Sequence, residues 1–298
     1  MKNDIQFNRF YKVFNLISLG LVVISILLIF FKGLNFGVDF KGGTLIELRV
    51  NDKQTNISSL RSAFNSMNLG DVAIKNFGNE NDYLIKFENK NKDKNLIQNI
   101  KKDLTKKIGP VYEFRRVENV GPKVSAELLN KGLIAIAVAL GAMLFYIWIR
   151  FEWQFSIGAI IALFHDVIIT IGIFSLLSIE INLSIVAAVL TIVGYSMNDT
   201  VVIFDRVREN LKKHISVKIF ELTNISINET LSRTIITSVT TLLALLSIFI
   251  FGGEILKGFS LAMILGVIFG TYSSIYIANP ILVYLKVSYK TIVKEDNN

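Results

Sequence analysis

Val13–Phe31 is a run of nineteen residues without a charge. A helix needs roughly 20 mostly apolar residues to cross a bilayer. A backbone in lipid has to satisfy its own polar groups, which leaves helices and closed barrels as the spanning structures. The run therefore predicts a membrane helix. Similar stretches follow at Gly132–Ile149, Phe155–Ile179, Leu183–Phe204, Thr234–Phe251 and Phe259–Leu285, so the expected architecture is six transmembrane helices, one plus five. The apolar core of a signal peptide spans only about 7–15 residues and ends at a small-residue cleavage site. Here the run is longer and ends Phe30-Phe31-Lys32-Gly33, which predicts an uncleaved first helix. The chain is 52% hydrophobic and 19% charged, below the roughly 25% charged residues of soluble domains.

Lys32–Lys131 differs in kind, being polar and rich in Lys and Asn. Gly43–Val50, Val72–Phe77 and Tyr83–Phe87 read as strands, and Val111–Val117 as a closing strand. Ile57–Met67 and Lys94–Ile108 carry apolar residues at helical spacing, with Leu96, Ile97, Ile100, Leu104 and Ile108 on one face. The order β-α-β-β-α-β predicts an α+β, ferredoxin-like domain between helices 1 and 2. Charged runs at Asn79–Asp82 and Glu88–Lys94 read as solvated turns. The remaining organisation is a short amino-terminal tail within Met1–Phe31, five helices within Gly132–Leu285, a charged connector Asp205–Ser232, and a polar tail Lys286–Asn298.

Basic residues give the expected orientation. They sit in the amino-terminal tail, the Arg150 turn, the Arg206–Arg233 connector and the carboxy-terminal tail, all on one side. Short loops rich in Lys and Arg stay cytoplasmic, so both termini are expected inside and Lys32–Lys131 outside. The net charge of +8 then belongs to membrane topology and gives no reason to expect a nucleic-acid partner. The chain has no cysteine and two histidines, which excludes thiolate chemistry and weighs against a histidine-rich metal site. No nucleotide loop, metal-ligand spacing or Ser/His/Asp arrangement appears. The sequence therefore points away from an enzyme and gives no cofactor.

Charges inside the apolar spans are the candidate site. A carboxylate at the bilayer centre costs roughly 2.5–3.5 kcal/mol on insertion scales, so a chain that keeps one uses or pairs it. Asp199 lies in the fourth span with Tyr195, Ser196 and Arg206 on its side of the helix. It reads either as a proton or ion site or as half of a structural salt bridge with Arg233, the residue that opens the fifth span. Asn198 beside it reads equally as participant or packing residue. His165-Asp166 lies near the middle of the third span, where Gly158, Ala162, Asp166 and Thr170 form one row. His165 has a near-neutral ordinary pKa and reads as a proton shuttle or as a hydrogen-bonding neighbour. Thr237, Ser238 and Thr241 form a hydroxyl stripe on the fifth span, and Gly266-x-x-x-Gly270 a small-residue row on the sixth. Both patterns predict close helix packing. Pro280 is expected to bend the end of the sixth span.

Several segments together resemble the SecD/SecF family of bacterial protein-export membrane proteins, of the resistance-nodulation-division type. They are Gly37-Val38-Asp39-Phe40-Lys41-Gly42-Gly43-Thr44, Val120-Gly121-Pro122, Arg150-Phe151-Glu152-Trp153, His165-Asp166-Val167, Gly194–Asn210, Ser232-Arg233-Thr234, Thr237-Ser238-Val239-Thr240-Thr241, Phe251-Gly252-Gly253 and Gly270-Thr271-Tyr272-Ser273-Ser274. The resemblance runs over nearly the whole chain, on the side of the smaller, SecF-like members. It implies a bacterial inner-membrane protein that works with SecD near the SecYEG channel, with SecA and YajC in the wider complex. It implies unfolded exported proteins as cargo, lipid as surroundings and the proton gradient as energy source. In that picture Asp199 and Arg233 match the membrane charges tied to proton coupling, and Asp166 is a further candidate. A small-molecule or lipid exporter of the same broad type is the alternative, although such chains usually carry two large outer domains and about twice this length.

Overall fold

Tyr11–Phe31 forms one unbroken helix, α1, as the uncharged run requires. The computed structural model describes residues 4–51, 56–67, 69–70, 72–87, 95–109 and 112–293. They form two units, one from Phe36–Leu133 and the other from Met1–Asn35 with Ile134–Asn298.

The first unit is α+β. Its elements are β1 (Gly43–Val50), α2 (Ile57–Asn65), β2 (Val72–Phe77), β3 (Asn79–Phe87), α3 (Leu96–Ile108) and β4 (Tyr112–Val120). They build a four-stranded antiparallel sheet of order β2-β3-β1-β4, which is the ferredoxin-like arrangement. Period-two alternation puts Ile46, Leu48 and Val50 of β1 on the face that packs with Leu60 and Phe64 of α2 and Ile100 and Leu104 of α3. Asn56 caps α2 by accepting from the Ser59 amide at 3.0 Å. The strands at Gly43–Val50 and Val72–Phe77 have the expected bounds, while Asn79–Asp82, read as a solvated turn, belongs to β3. Asp82 is buried because the Arg49 guanidinium grips both its oxygens, at 2.6 and 2.7 Å. The expected ends at Val111 and Lys94, and the run Glu88–Lys94, lie outside the described residues. Ahead of β1, a single helical turn Val38–Lys41 is stopped by Gly42 (φ +78°) and Gly43 (φ +130°), conformations only glycine adopts without strain.

Burial, with Lys75 close by, pushes the Lys86 ammonium down to about 8 from its ordinary 10.5. Between those values the unfolded chain binds more protons than the folded unit, so stability rises with pH across that window. Urea unfolding of this unit, followed by pulse proteolysis, should show that rise, and Lys86→Met should flatten it.

The second unit is helical. After α1 come α4 (Pro122–Arg150, in this unit from Ile134 on), α5 (Trp153–Leu177), α6 (Leu183–Lys213), α7 (Ile219–Phe251) and α8 (Glu254–Ser273). A π turn, Ser274–Ala278, joins α8 to α9 (Asn279–Tyr284). Six of these stretches are long and apolar enough to cross a membrane. Helices α5, α6 and the α8–α9 span form the buried middle, and α1, α4 and α7 expose most of their apolar surface. Phe151, Phe155 and Phe204 stack edge and face between α5 and α6. Pro280 has no amide hydrogen and its ring crowds the preceding turn; the π turn just before it accommodates both.

Two expectations change. Asp205–Ser232 is not a separate connector, because α6 continues to Lys213 and α7 starts at Ile219. The charges that suggested a loop instead bond along and between the two helices: Arg206 to Glu209 and Glu229, Lys213 to Glu209, and Asn210 to Glu229 and Ser226. Arg150 pairs with Asp205 at 2.9 Å, and Arg208 with the buried Glu152 at 3.0 Å. The tail after Lys286 is not simply polar either, since Val287 and Ile292 are buried in the helical core.

Candidate functional site: buried carboxylates among hydroxyls

His165 is the central residue of α5, and Asp166 beside it is wholly buried. The row that placed Gly158, Ala162 and Thr170 with Asp166 faces the bundle interior, and all four are buried. Asp166 gathers three partners there. Its Oδ1 lies 2.8 Å from His165 Nδ1, and its Oδ2 accepts from Ser196 Oγ of α6 at 2.5 Å and Ser273 Oγ of α8 at 2.7 Å. One carboxylate thus ties three helices together. An imidazole whose Nδ1–H donates to Asp166 leaves Nε2 as an acceptor, and that atom is buried without a partner.

Asp199 on α6 is also buried, with 3% of its surface exposed. Its Oδ2 accepts from Thr271 Oγ1 of α8 at 3.3 Å, and Thr271 shares a 2.7 Å hydrogen bond with Ser238 of α7. This is a second three-helix relay, one turn of α6 away from Ser196. The two carboxylates make no direct contact; both reach the Gly270–Ser274 stretch, through Thr271 and Ser273.

The ion pair between Asp199 and Arg233 is not formed. Arg233 is exposed, and its charge reaches Asp199 only through space. The reason is helical phase. The buried positions of α7 include Leu222, Ser226, Thr230, Thr234 and Ser238, recurring every fourth residue. Arg233 stands one residue off that row, about 100° around the helix. Asn198 is exposed too, and lines an open groove of about 430 Å³ with Ala142, Met143 and Gly194. Of the hydroxyl stripe, Ser238 joins the relay, Thr237 bonds its own helix backbone at 3.0 Å, and Thr241 is half-buried.

Gly266 and Gly270 are where α8 meets α6. A Cβ on Gly270 would lie 3.0 Å from the Ser196 backbone, and one on Gly266 would overlap the Ile192 side chain. The glycines thus bring α8 close enough for Ser273 and Thr271 to reach the acids of α5 and α6.

In the sequence Thr271, Tyr272 and Ser273 stand out only within the Gly270–Ser274 segment that carries the family resemblance, with no role given, and Ser196 is grouped with Asp199 where the fold gives it to Asp166. A signal was present, since the hydroxyls follow Gly270 directly in a span that otherwise reads as packing. Among the described residues no group of three or more His, Asp or Glu is placed to hold a metal ion.

The model of the family described as protein export membrane protein SecD/SecF, C-terminal, matches residues 100–288, and that of the SecD/SecF GG motif matches residues 27–53. The chain is 46% identical over 284 residues to the protein translocase subunit SecF of Rickettsia bellii, covering 94% of this chain and 93% of that protein. It is 49% identical over 294 residues to the SecF of Calditerrivibrio nitroreducens, covering 96% and 95%. The crystal structure of SecDF, a translocon-associated membrane protein from Thermus thermophilus, superposes with a TM-score of 0.84 at 34% identity over 96% of this chain. SecDF in a super-membrane-facing form gives 0.71 at 33% identity over the whole chain. The chain spans about two-fifths of those SecDF chains, 39% and 40%. With matches of this extent in family model, sequence and structure, the chain belongs to the SecD/SecF family of protein-export membrane proteins, on its SecF side.

Proposed function

We propose that this chain is an accessory subunit of Sec protein export that works with SecD and uses the proton motive force to help unfolded proteins cross the bacterial inner membrane. Its surroundings are lipid and the SecYEG channel, with SecA and YajC in the wider complex, and both termini are cytoplasmic. Three observations support the partnership and placement. The SecF relatives are named translocase subunits. The solved SecDF chains carry a further segment longer than this chain. The basic ends of α4 and α6 meet at one end of the helical unit, where Arg150 pairs with Asp205 and Arg208 with Glu152, as the positive-inside rule expects of the cytoplasmic side.

The proton reading rests on one observation: Asp166, fully buried at mid-span, is bonded to an imidazole and to hydroxyls of two other helices. Two states of this carboxyl ask for different partners. As a carboxylate it accepts from all three donors. Once protonated it must donate, so one of Ser196, Ser273 or His165 has to turn from donor to acceptor. Helices α6 and α8 then have a reason to move relative to α5. A proton crossing the membrane potential releases about 2.3 kcal/mol per 100 mV, of the order needed to bias two helix packings. Asp199, with Thr271 and Ser238, is the adjoining station, and Arg233 sets its field without contact. No catalytic bond chemistry is needed.

The test is secretion of a reporter protein with and without the gradient. Asp199→Asn should insert normally and lose most of the gradient-dependent part of export. Normal gradient-dependent export in that variant would remove Asp199 from the mechanism.

A further inference from the structure

Tyr272 is used by nothing described so far, yet it touches both the buried acid's partner and the first helix. Its ring lies over the His165 imidazole, with centroids 5.9 Å apart and planes at 23°. Its hydroxyl donates to the Phe14 carbonyl of α1 at 2.9 Å and is bonded to Ser18 Oγ at 2.7 Å. Phe14 packs edge-on against the same ring at 5.8 Å and lies 4.2 Å from Tyr276. At its far end α1 is strapped to α5, where Ser175 Oγ donates to the Leu28 and Gly33 carbonyls and Lys32 Nζ to the Leu176 carbonyl. By connectivity, α1 is the segment that leads into the α+β unit.

We propose that Tyr272 is a positioning residue that couples the protonation state of the His165–Asp166 pair to helix α1. This deepens the proton-coupling reading and rests on it. Coupling requires that Tyr272 interact differently with the two states of the pair. It does, because an imidazolium over an aromatic face gains an electrostatic attraction that a neutral imidazole lacks. The proton enters the pair at the unpartnered Nε2, and the imidazolium formed there shares its Nδ1 proton with Asp166, whose carboxylate becomes the protonated carboxyl. The groups facing the imidazole are few: Asp166 on its own helix, and Tyr272 and Phe269 from α8. Ser196 of α6 and Ser273 of α8 act through Asp166, and Tyr276 stands behind Tyr272. From α1 the nearest polar groups are Ser18 and the Phe14 carbonyl, and its one charged residue, Lys12, is exposed. Protonation pulls the Tyr272 ring toward His165, and its hydroxyl then draws on α1 through Phe14 and Ser18.

The chain's lack of cysteine and its two histidines make the test clean. Single cysteines replacing the exposed Phe10 and Ile215 can carry a spin-label pair, and His214→Gln leaves His165 as the one imidazole. In the full chain reconstituted in lipid, the label distance should change between acidic and neutral buffer. Tyr272→Phe keeps the ring and loses both hydroxyl bonds. It should keep the single His165 tautomer seen by nitrogen NMR while losing most of the distance change. Ser18→Ala should lose part of it, and Tyr272→Leu, which removes ring and hydroxyl together, should lose all of it while the tautomer that Asp166 fixes is kept. An undiminished distance change in Tyr272→Phe overturns the role of Tyr272 while leaving the proton reading intact. No distance change in the unsubstituted chain overturns the inference together with the reading beneath it.

Discussion

Asp166→Asn should insert and fold normally and yet lose the gradient-stimulated part of export almost completely. The expectation comes from counting donors. The asparagine oxygen can occupy the Oδ2 position and still accept from Ser196 and Ser273, while its NH2 faces His165 Nδ1. The imidazole answers by moving its proton to Nε2, so that Nδ1 accepts. The partners of residue 166 all stay satisfied, Nε2 remains without a partner as before, and the carboxyl's capacity to take up and release a proton is gone. Asp166→Leu is the contrasting case. It strands the buried Ser196 hydroxyl and one imidazole nitrogen, each costing about 1–3 kcal/mol, leaves Ser273 only its 3.2 Å bond to the Gly270 carbonyl, and should lower the unfolding temperature in detergent as well as export. Function lost in both variants, with stability lost in only the second, separates a proton site from a structural bolt. Equal stability loss in both would mean that the charge itself holds the helices.

Gly270→Ala should be nearly as damaging to function, for a different reason. The new methyl lies 3.0 Å from the Ser196 backbone, and backbone cannot rotate out of the way. Overpacking of this kind costs about 1–3 kcal/mol. Here it also separates Ser196 and Ser273 from a shared acid. Gly266→Ala, one turn earlier, overlaps the Ile192 side chain instead, so Ile192→Ala should restore much of its lost stability. Truncating Ile192 should do nothing for Gly270→Ala. Thermal unfolding in detergent across the four variants checks the pattern, and equal rescue of both glycine variants would contradict it.

The membrane helices and the sheet were legible because each obeys one simple period. An uncharged run gave α1, apolar runs broken by a single acid gave α5 and the buried part of α6, and short patterned segments gave β1 and β2. The helix extensions were not, because hydropathy stops where charge begins. Residues 205–213 and 219–232 continue as helices that bury Val207, Leu211, Leu222 and Ile227 in the core, and their charges meet in pairs such as Arg206 with Glu229, a partner that only the fold brings near. The site was half legible. A buried carboxylate announces itself by its cost, so Asp166 and Asp199 stood out. Their partners did not, because serine and threonine are ordinary in membrane helices and nothing local says which acid a hydroxyl will meet. Ser196 is three residues from Asp199 yet serves Asp166, since the helix turns its hydroxyl toward α5. Arg233 failed as a contact because opposite charges at similar depth still need matching helical phase.

The central claim is that Asp166 changes protonation state while the protein works. Infrared difference spectroscopy on the reconstituted chain reads this directly, through the carbonyl stretch of a protonated carboxyl group. Stepping the buffer from neutral to acidic should produce a buried-carboxyl band that is absent in Asp166→Asn and retained in Asp199→Asn, with its own smaller contribution missing. A band unchanged by Asp166→Asn would contradict the account.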